Sequence, residues 1–221
     1  MKKLPSLLSV LLVACVTAFS AHAQDLKGDA AKGEGKIRMC IGCHGIAGYQ
    51  ATFPEIHKVP MISGQGAKYI VSSLNAYKKG ERKHPSMRGV AEALSDQDMA
   101  DIAAYYESHG KDRAPTPAKG GAPSAAALEL VKKGACLSCH GEGFSKPIDP
   151  GYPKIAGQHA DYLFVALKSY KTEGNAQLGR ANGVMGAVAK QFSNAEMREL
   201  AAYVSSLQGD LKTVPQAKFR F

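Results

Sequence analysis

"RMCIGCHGIAGYQ", Arg38 to Gln50, and "GACLSCHGEGFSK", Gly134 to Lys146, both carry the pattern Cys-x-x-Cys-His. The copies are offset by 96 positions, Cys40 to Cys136 and His44 to His140. Three chemistries use paired cysteines this way. A redox dithiol belongs in a βαβ setting, and strand signals are lacking here. A zinc centre needs further ligands at zinc spacing, but the second cysteine pair lies far along the chain. A c-type haem site uses every residue: the cysteines form thioethers to the haem vinyl groups, and the adjacent histidine ligates iron. The pattern therefore assigns Cys40, Cys43, Cys136 and Cys139 to covalent attachment of two haem c groups, with His44 and His140 as axial ligands.

Met1 to Ala23 begins with Lys2 and Lys3, runs through "LLSVLLVACVTAF" and ends in "AHA" before Gln24. Charge, short apolar run and small-residue cleavage site make a secretory signal, cut after Ala23. No later stretch reaches the roughly 18 apolar residues of a spanning helix. The expectation is a periplasmic protein. The alternative is a lipid anchor, since "LVAC", Leu12 to Cys15, resembles a lipoprotein cleavage box and would leave Cys15 lipidated.

The repeat extends beyond the two motifs. "PMISGQGAKYI" from Pro60 matches "PKIAGQHADYL" from Pro153, and "LNAYKKGERK" from Leu74 matches "LKSYKTEGNA" from Leu167. Near the end of each half, "MRGVAEALSDQDMADIAAYYESHG" from Met87 matches "MGAVAKQFSNAEMRELAAYVSSLQG" from Met185. Domain one is expected over residues 24–111 and domain two over 124–209. "DRAPTPAKGGAP", residues 112–123, is a linker rich in Pro, Gly and Ala, and residues 210–221 form a tail. Apolar residues at three- and four-residue intervals make both halves helical. Helices are expected to lead into each motif, and Ser95 with Asp98 and Ser193 with Glu196 form capping boxes for the last helix of each half. Each half is small enough that an ordinary core stabilises it only marginally; an attached haem would complete that core.

Each iron needs a sixth ligand, and methionine raises the potential by favouring ferrous iron. Met99 shares a helical face with Ile102, Ala103 and Tyr106, and Met197 does so with Leu200, Ala201 and Val204, which is core packing. Met87 and Met185 sit in Gly-containing segments before the last helix, read as loops, and are the candidate axial ligands. Met61 faces Lys154 in the repeat and is assigned to packing. His84 is the competing ligand in domain one. His57, His109 and His159 read as solvated loop or helix-end residues.

These features together resemble the dihaem cytochrome c4 family, over nearly the whole mature chain. The resemblance implies an all-α chain of two tandem class I cytochrome c domains joined by a short linker. It implies a periplasmic electron carrier working between a cytochrome bc complex or a dehydrogenase and a terminal oxidase. It also makes Pro60 and Pro153 the residues whose carbonyls accept the ligand histidines' other ring N–H. Domain one departs from the pattern with extra residues around "EIHKV", which leaves Pro54 as a second candidate.

With His and Met both bound, iron has no open position, so the expected activity is outer-sphere electron transfer and not catalysis. The rival readings are a cytochrome subunit of a larger dehydrogenase, for example one oxidising sulfur compounds, and a dihaem peroxidase. Losing Lys2 and Lys3 takes the formal charge from +9 to +7, before haem propionates are counted. In an exported protein that surplus points to acidic redox partners or a membrane surface and not to nucleic acid. "YKKGERKHPSMR" places Lys78, Lys79, Arg82, Lys83 and Arg88 beside Met87, where the matching stretch of domain two has Lys171 and Arg180. The run reads either as a solvated helix end, whose negative C-terminus favours cations, or as a docking surface around the domain-one haem edge.

Overall fold

The computed structural model of the chain describes residues 26–120 and 123–215. The expected signal segment, Met1 to Ala23 with Cys15, lies outside the described residues. Among the described residues no helix is long and apolar enough to cross a membrane.

The first half holds helices α1 (Ala30–Glu34), α2 (Arg38–His44), α3 (Ala67–Lys79), α4 (Pro85–Glu92) and α5 (Asp96–Ser108). Short strands β1 (Gln50–Ala51), β2 (His57–Lys58) and β3 (Arg82–Lys83) lie between them. The second half repeats the plan with α6 (Ala125–Lys133), α7 (Leu137–His140), α8 (Ala160–Lys171), β4 (Gly179–Arg180), α9 (Gly183–Lys190) and α10 (Asn194–Ser206). The helix expected to run into the first motif is broken at Gly35–Ile37, so α2 carries the motif alone. Both capping boxes form as the sequence indicates. Helix α3 stops at Gly80, whose left-handed φ of 75° favours a residue without Cβ.

Each half has its own core. In the first, Ile37, Ile41, Ile70, Leu74, Met99, Ile102 and Tyr106 pack together, with Cys40 and Met87 against them. In the second, Val131, Phe144, Leu163, Phe164, Phe192, Met197 and Leu200 do so, with Cys136 against them. Met99 and Met197 have no exposed surface at all, consistent with packing residues. The crossing of α1 over α5 is close because Gly33 lacks a side chain: a Cβ there would lie 2.2 Å from the Asp101 carbonyl oxygen.

The halves meet along a local two-fold. Strands β3 and β4 pair antiparallel with Arg82 opposite Arg180, residues that stand five positions before Met87 and Met185 respectively. Around this axis the halves differ. The extra residues of domain one form β1–β2 and a strap onto domain two, where Lys168 Nζ lies 2.7 Å from Glu55 and Lys58 3.4 Å from Asp161. His57 belongs to this strap and is buried, its Nδ1 2.8 Å from the Glu55 carbonyl and its ring beside Tyr162, so it is not the solvated residue the sequence suggests. Residues 210–215 of the tail pack on the molecule: Leu211 and Val214 are buried, and the Lys212 N–H donates to the Ser63 carbonyl of the first half.

Asp101 is fully buried and accepts bonds from Lys36 Nζ (2.7 Å), the Asp29 N–H (2.9 Å) and Gln97 Nε2 (2.8 Å). The Lys36 ammonium, then the Asp29 N–H, hold its carboxyl down at about 2. In the unfolded chain the same group takes its proton near about 3.9, so its contribution is present above that pH and is lost as pH falls toward about 2. Thermal melts should show stability dropping more steeply across this window in wild type than in Asp101→Asn.

Candidate functional site

The first motif occupies one short helix. Its residues Cys40, Cys43 and His44 line a cavity of about 540 Å³ together with Met87, Tyr49, Ile70, Leu74, Tyr106 and Arg82. The same cavity reaches across the seam to Pro153, Tyr162 and Arg180.

His44 Nδ1 lies 2.8 Å from the Pro60 carbonyl oxygen, and His140 Nδ1 lies 3.0 Å from that of Pro153. A carbonyl can only accept, so Nδ1 carries the proton in both rings and Nε2 keeps its lone pair. Burial lowers the affinity of both imidazoles for a second proton, against the opposing pull of each carbonyl. Both histidines are therefore neutral donors held ready for a metal at Nε2. Pro60, and not Pro54, is the partner in domain one.

The cysteines do not suit redox exchange. Burial pushes the Cys40 thiol up to about 11 and raises Cys136 as well, whereas an exchanging dithiol needs a depressed value.

Met87 and Met185 stand in the first turns of α4 and α9, not in loops. Pro85 at the start of α4 and the Asn182 side chain, which accepts the Met185 N–H at 2.9 Å, fix those turns. His84 stands at the N-cap position of α4 as Asn182 does at that of α9, but its side chain makes no capping bond, its Nδ1 is unpartnered among the described residues, and it lines the same cavity. Met61 belongs to the peptide that follows Pro60, on the histidine side of the cavity, and its side chain is buried.

Arg82, read from sequence as a docking residue, is instead part of the seam together with Arg180: Arg82 is 9% exposed and Arg180 is partly buried. Arg82 donates to Tyr69, Ser73 and Tyr162, and Arg180 donates to Tyr162. Each guanidinium also lies over a ring of its own half, Arg82 over Tyr77 at 4.8 Å and Arg180 over Tyr170 at 5.2 Å. Among the described residues neither has a carboxylate partner, and Arg82 Nε has no hydrogen-bond partner. Burial would raise the Tyr162 phenol, yet the two guanidiniums outweigh it and hold it down at about 8. A buried and a partly buried cation without a carboxylate partner among the described residues, bordering an apolar cavity, fit a large apolar group with acidic substituents. Haem with its propionates has that chemistry. The signal was legible as an arginine five residues before each candidate methionine.

The cytochrome c family pattern matches residues 30–110 and again 124–208. Cytochrome c4 of Stutzerimonas stutzeri is 34% identical, covering 91% of this chain and 98% of that protein. The cytochrome c4 structure from Acidithiobacillus ferrooxidans superposes with a TM-score of 0.58 at 28% identity, over 77% of this chain and 99% of that one. A thiosulfate dehydrogenase electron acceptor of Thiomonas intermedia is 27% identical, over 76% of this chain and 77% of that protein.

The two methionine pairs separate experimentally. Met87→Leu and Met185→Leu should each remove one methionine-to-iron absorption band and leave the other. Met99→Leu should leave both, while Met99→Ala should cost about 2–5 kcal/mol of stability through the cavity it opens. Visible spectra and thermal melts check these outcomes; loss of a band in Met99→Leu would reverse the assignment.

Proposed function

We propose, from the premise that this chain belongs to the cytochrome c family and within it to the cytochrome c4 proteins, that Cys40, Cys43, His44 and Met87 hold one haem and Cys136, Cys139, His140 and Met185 the other. The chain is an electron-transfer protein with two covalently bound haem c groups, and it is not an enzyme. The observation that carries the residue assignment is the histidine geometry, identical in both halves, with Nδ1 donated to a proline carbonyl and Nε2 left for iron.

Residues 24–111 and 124–209 are the two functional units, joined by 112–123 and closed by the tail 210–221. When bound, the haem supplies a one-electron iron couple. The chain's own residues fix the rest. The histidines enter neutral and oriented, so no proton needs to move at Nδ1 when the charge on iron changes. A thioether in place of water leaves no exchangeable ligand and favours the reduced state. Buried cations at the seam stabilise acidic groups there. A rigid surround keeps reorganisation small.

The protein acts in the periplasm after cleavage behind Ala23, between a bc-type complex or a dehydrogenase and a terminal oxidase. The likeness to a thiosulfate dehydrogenase electron acceptor favours a second reading, acceptance of electrons from a sulfur-oxidising dehydrogenase. Intact mass of protein made with haem-attachment machinery should equal the chain from Gln24 plus two haems. One haem, none, or a diacylated Cys15 start would overturn the corresponding assignment.

Its partners are redox proteins, and domain one presents the docking surface. With Arg82 buried, Lys79 and Arg88 are exposed, Arg88 in an ion pair with Glu92; Lys78 donates to the Leu94 carbonyl and Lys83 to that of Asn175, as Lys171 does to Phe192 in domain two. The repeat places Thr172, Ala181 and Gly186 where domain one has Lys79, Lys83 and Arg88. Exposed Met39 and Tyr49 line the cavity of the same half. An acidic partner is therefore steered to domain one, through the association rate and in a salt-dependent way. Lys79→Glu with Lys83→Glu should slow electron exchange at low ionic strength by about tenfold or more without moving either potential. Stopped-flow rates equal to wild type across a salt series would reject this surface.

A further inference from the structure

Gln65 and Gln158 stand at equivalent repeat positions, five residues after Pro60 and Pro153, and both are buried, at 5% and 4% exposure. Each binds the backbone of the other half. Gln158 Oε1 accepts the Met61 N–H at 3.0 Å and its Nε2 donates to the Met61 carbonyl at 2.9 Å. Gln65 mirrors this, accepting the Lys154 N–H at 3.0 Å and donating to the Lys154 carbonyl at 2.9 Å. Each amide oxygen also accepts its own chain's next N–H, from His159 at 3.1 Å and from Gly66 at 3.0 Å. Only a carboxamide can both donate and accept in this arrangement, and asparagine is a methylene too short to span it.

The peptide units involved are the ones that matter to iron. The Met61 N–H and the Pro60 carbonyl belong to one peptide group, and that carbonyl accepts from His44 Nδ1. The Lys154 N–H and the Pro153 carbonyl belong to another, bonded to His140 Nδ1. A hydrogen-bond chain therefore runs from the Gln158 amide through one peptide to His44, and from the Gln65 amide through another to His140. Donation by the peptide N–H makes its carbonyl oxygen a stronger acceptor. A stronger acceptor at Nδ1 makes the imidazole a better electron donor at Nε2, which favours ferric iron.

We infer that Gln65 and Gln158 are crossed positioning residues, each setting the basicity and orientation of the axial histidine in the opposite domain. Each haem's potential is thus partly fixed by the half that does not bind it, and the value belongs to the docked pair. The inference rests on the assignment of His44 and His140 as ligands.

The test is spectroelectrochemical titration of Gln158→Leu and Gln65→Leu in the full dihaem protein. The two waves are assigned to domains through Met87→His, which lowers the domain-one potential alone. Gln158→Leu should raise the potential of the domain-one haem, by up to about tenfold in the one-electron equilibrium constant, about 59 mV, and leave domain two in place. Gln65→Leu should do the reverse. Retained protection of the Lys154 amide from hydrogen exchange in Gln158→Leu, and of Met61 in Gln65→Leu, shows that the seam has stayed closed. Should a leucine form fail to fold, methionine at the same position, of similar volume and without the amide, carries the same expectation. A shift confined to the variant's own domain, equal shifts of both haems with the seam closed, or no shift would overturn the inference. Failure of the ligand assignment reads differently: wild type itself would then lack two low-spin haem signals with histidine and methionine ligation.

Discussion

Duplication imposes a constraint on the seam of this molecule. Where equivalent segments of two similar halves meet about a two-fold, a contact off the axis recurs with the halves exchanged, and only residues on the axis meet their own counterparts. Gln65 and Gln158 are of the first kind, each bonding the backbone of the other half. Arg82 and Arg180 are of the second, and arginine is not complementary to itself. Arg82 opposite Arg180 is a like-charge pair in a poorly solvated place, relieved by the hydroxyls of Tyr69, Ser73 and Tyr162 and the faces of Tyr77, Tyr162 and Tyr170. Among the described residues no carboxylate pairs with either guanidinium, and the carboxylates of two haems would suit such a seam.

Symmetry about the seam would make the two redox centres alike, and the chain departs from it in three places. The strap of residues 55–58 and the tail each cross from one half to the other without a counterpart. The third departure is chemical: cations at 79, 83 and 88 face neutral residues at the matching positions of domain two. The first two lock the halves together, and the last gives one half a different face toward solution. An electron carrier with two centres needs this combination, in which a fixed distance between the centres is joined to a preference for where the partner arrives.

The ligands proposed above divide in the same way. The histidine side of each site is built at the seam, where a proline carbonyl held from across the interface fixes the ring. The methionine side is built within one half, on the first turn of a short helix whose start is set by Pro85 or by the Asn182 cap. With those ligands, a change at the seam would reach iron through histidine, and a change in the local helix would reach it through methionine.

Much of this was legible in the chain alone. Cys-x-x-Cys-His names its chemistry because the thioethers and the iron bond need those residues in that order. The repeat fixed the duplication, and helical periodicity with Ser95 and Ser193 as caps marked the elements, since these are short-range effects. Periodicity also separated Met99 and Met197, locked on a core face, from Met87 and Met185. What the sequence misplaced were residues whose environment comes from distant segments. Arg82 reads as a surface cation in "KKGERKH", and only the pairing of β3 with β4 buries it. His57 reads as a loop histidine until the strap lays it against Tyr162. Gln65 and Gln158 carry no local signal at all, because their partners lie 89 and 97 residues away. Charge and periodicity report what a residue does to its near neighbours; which half supports which histidine is decided only where the two halves touch.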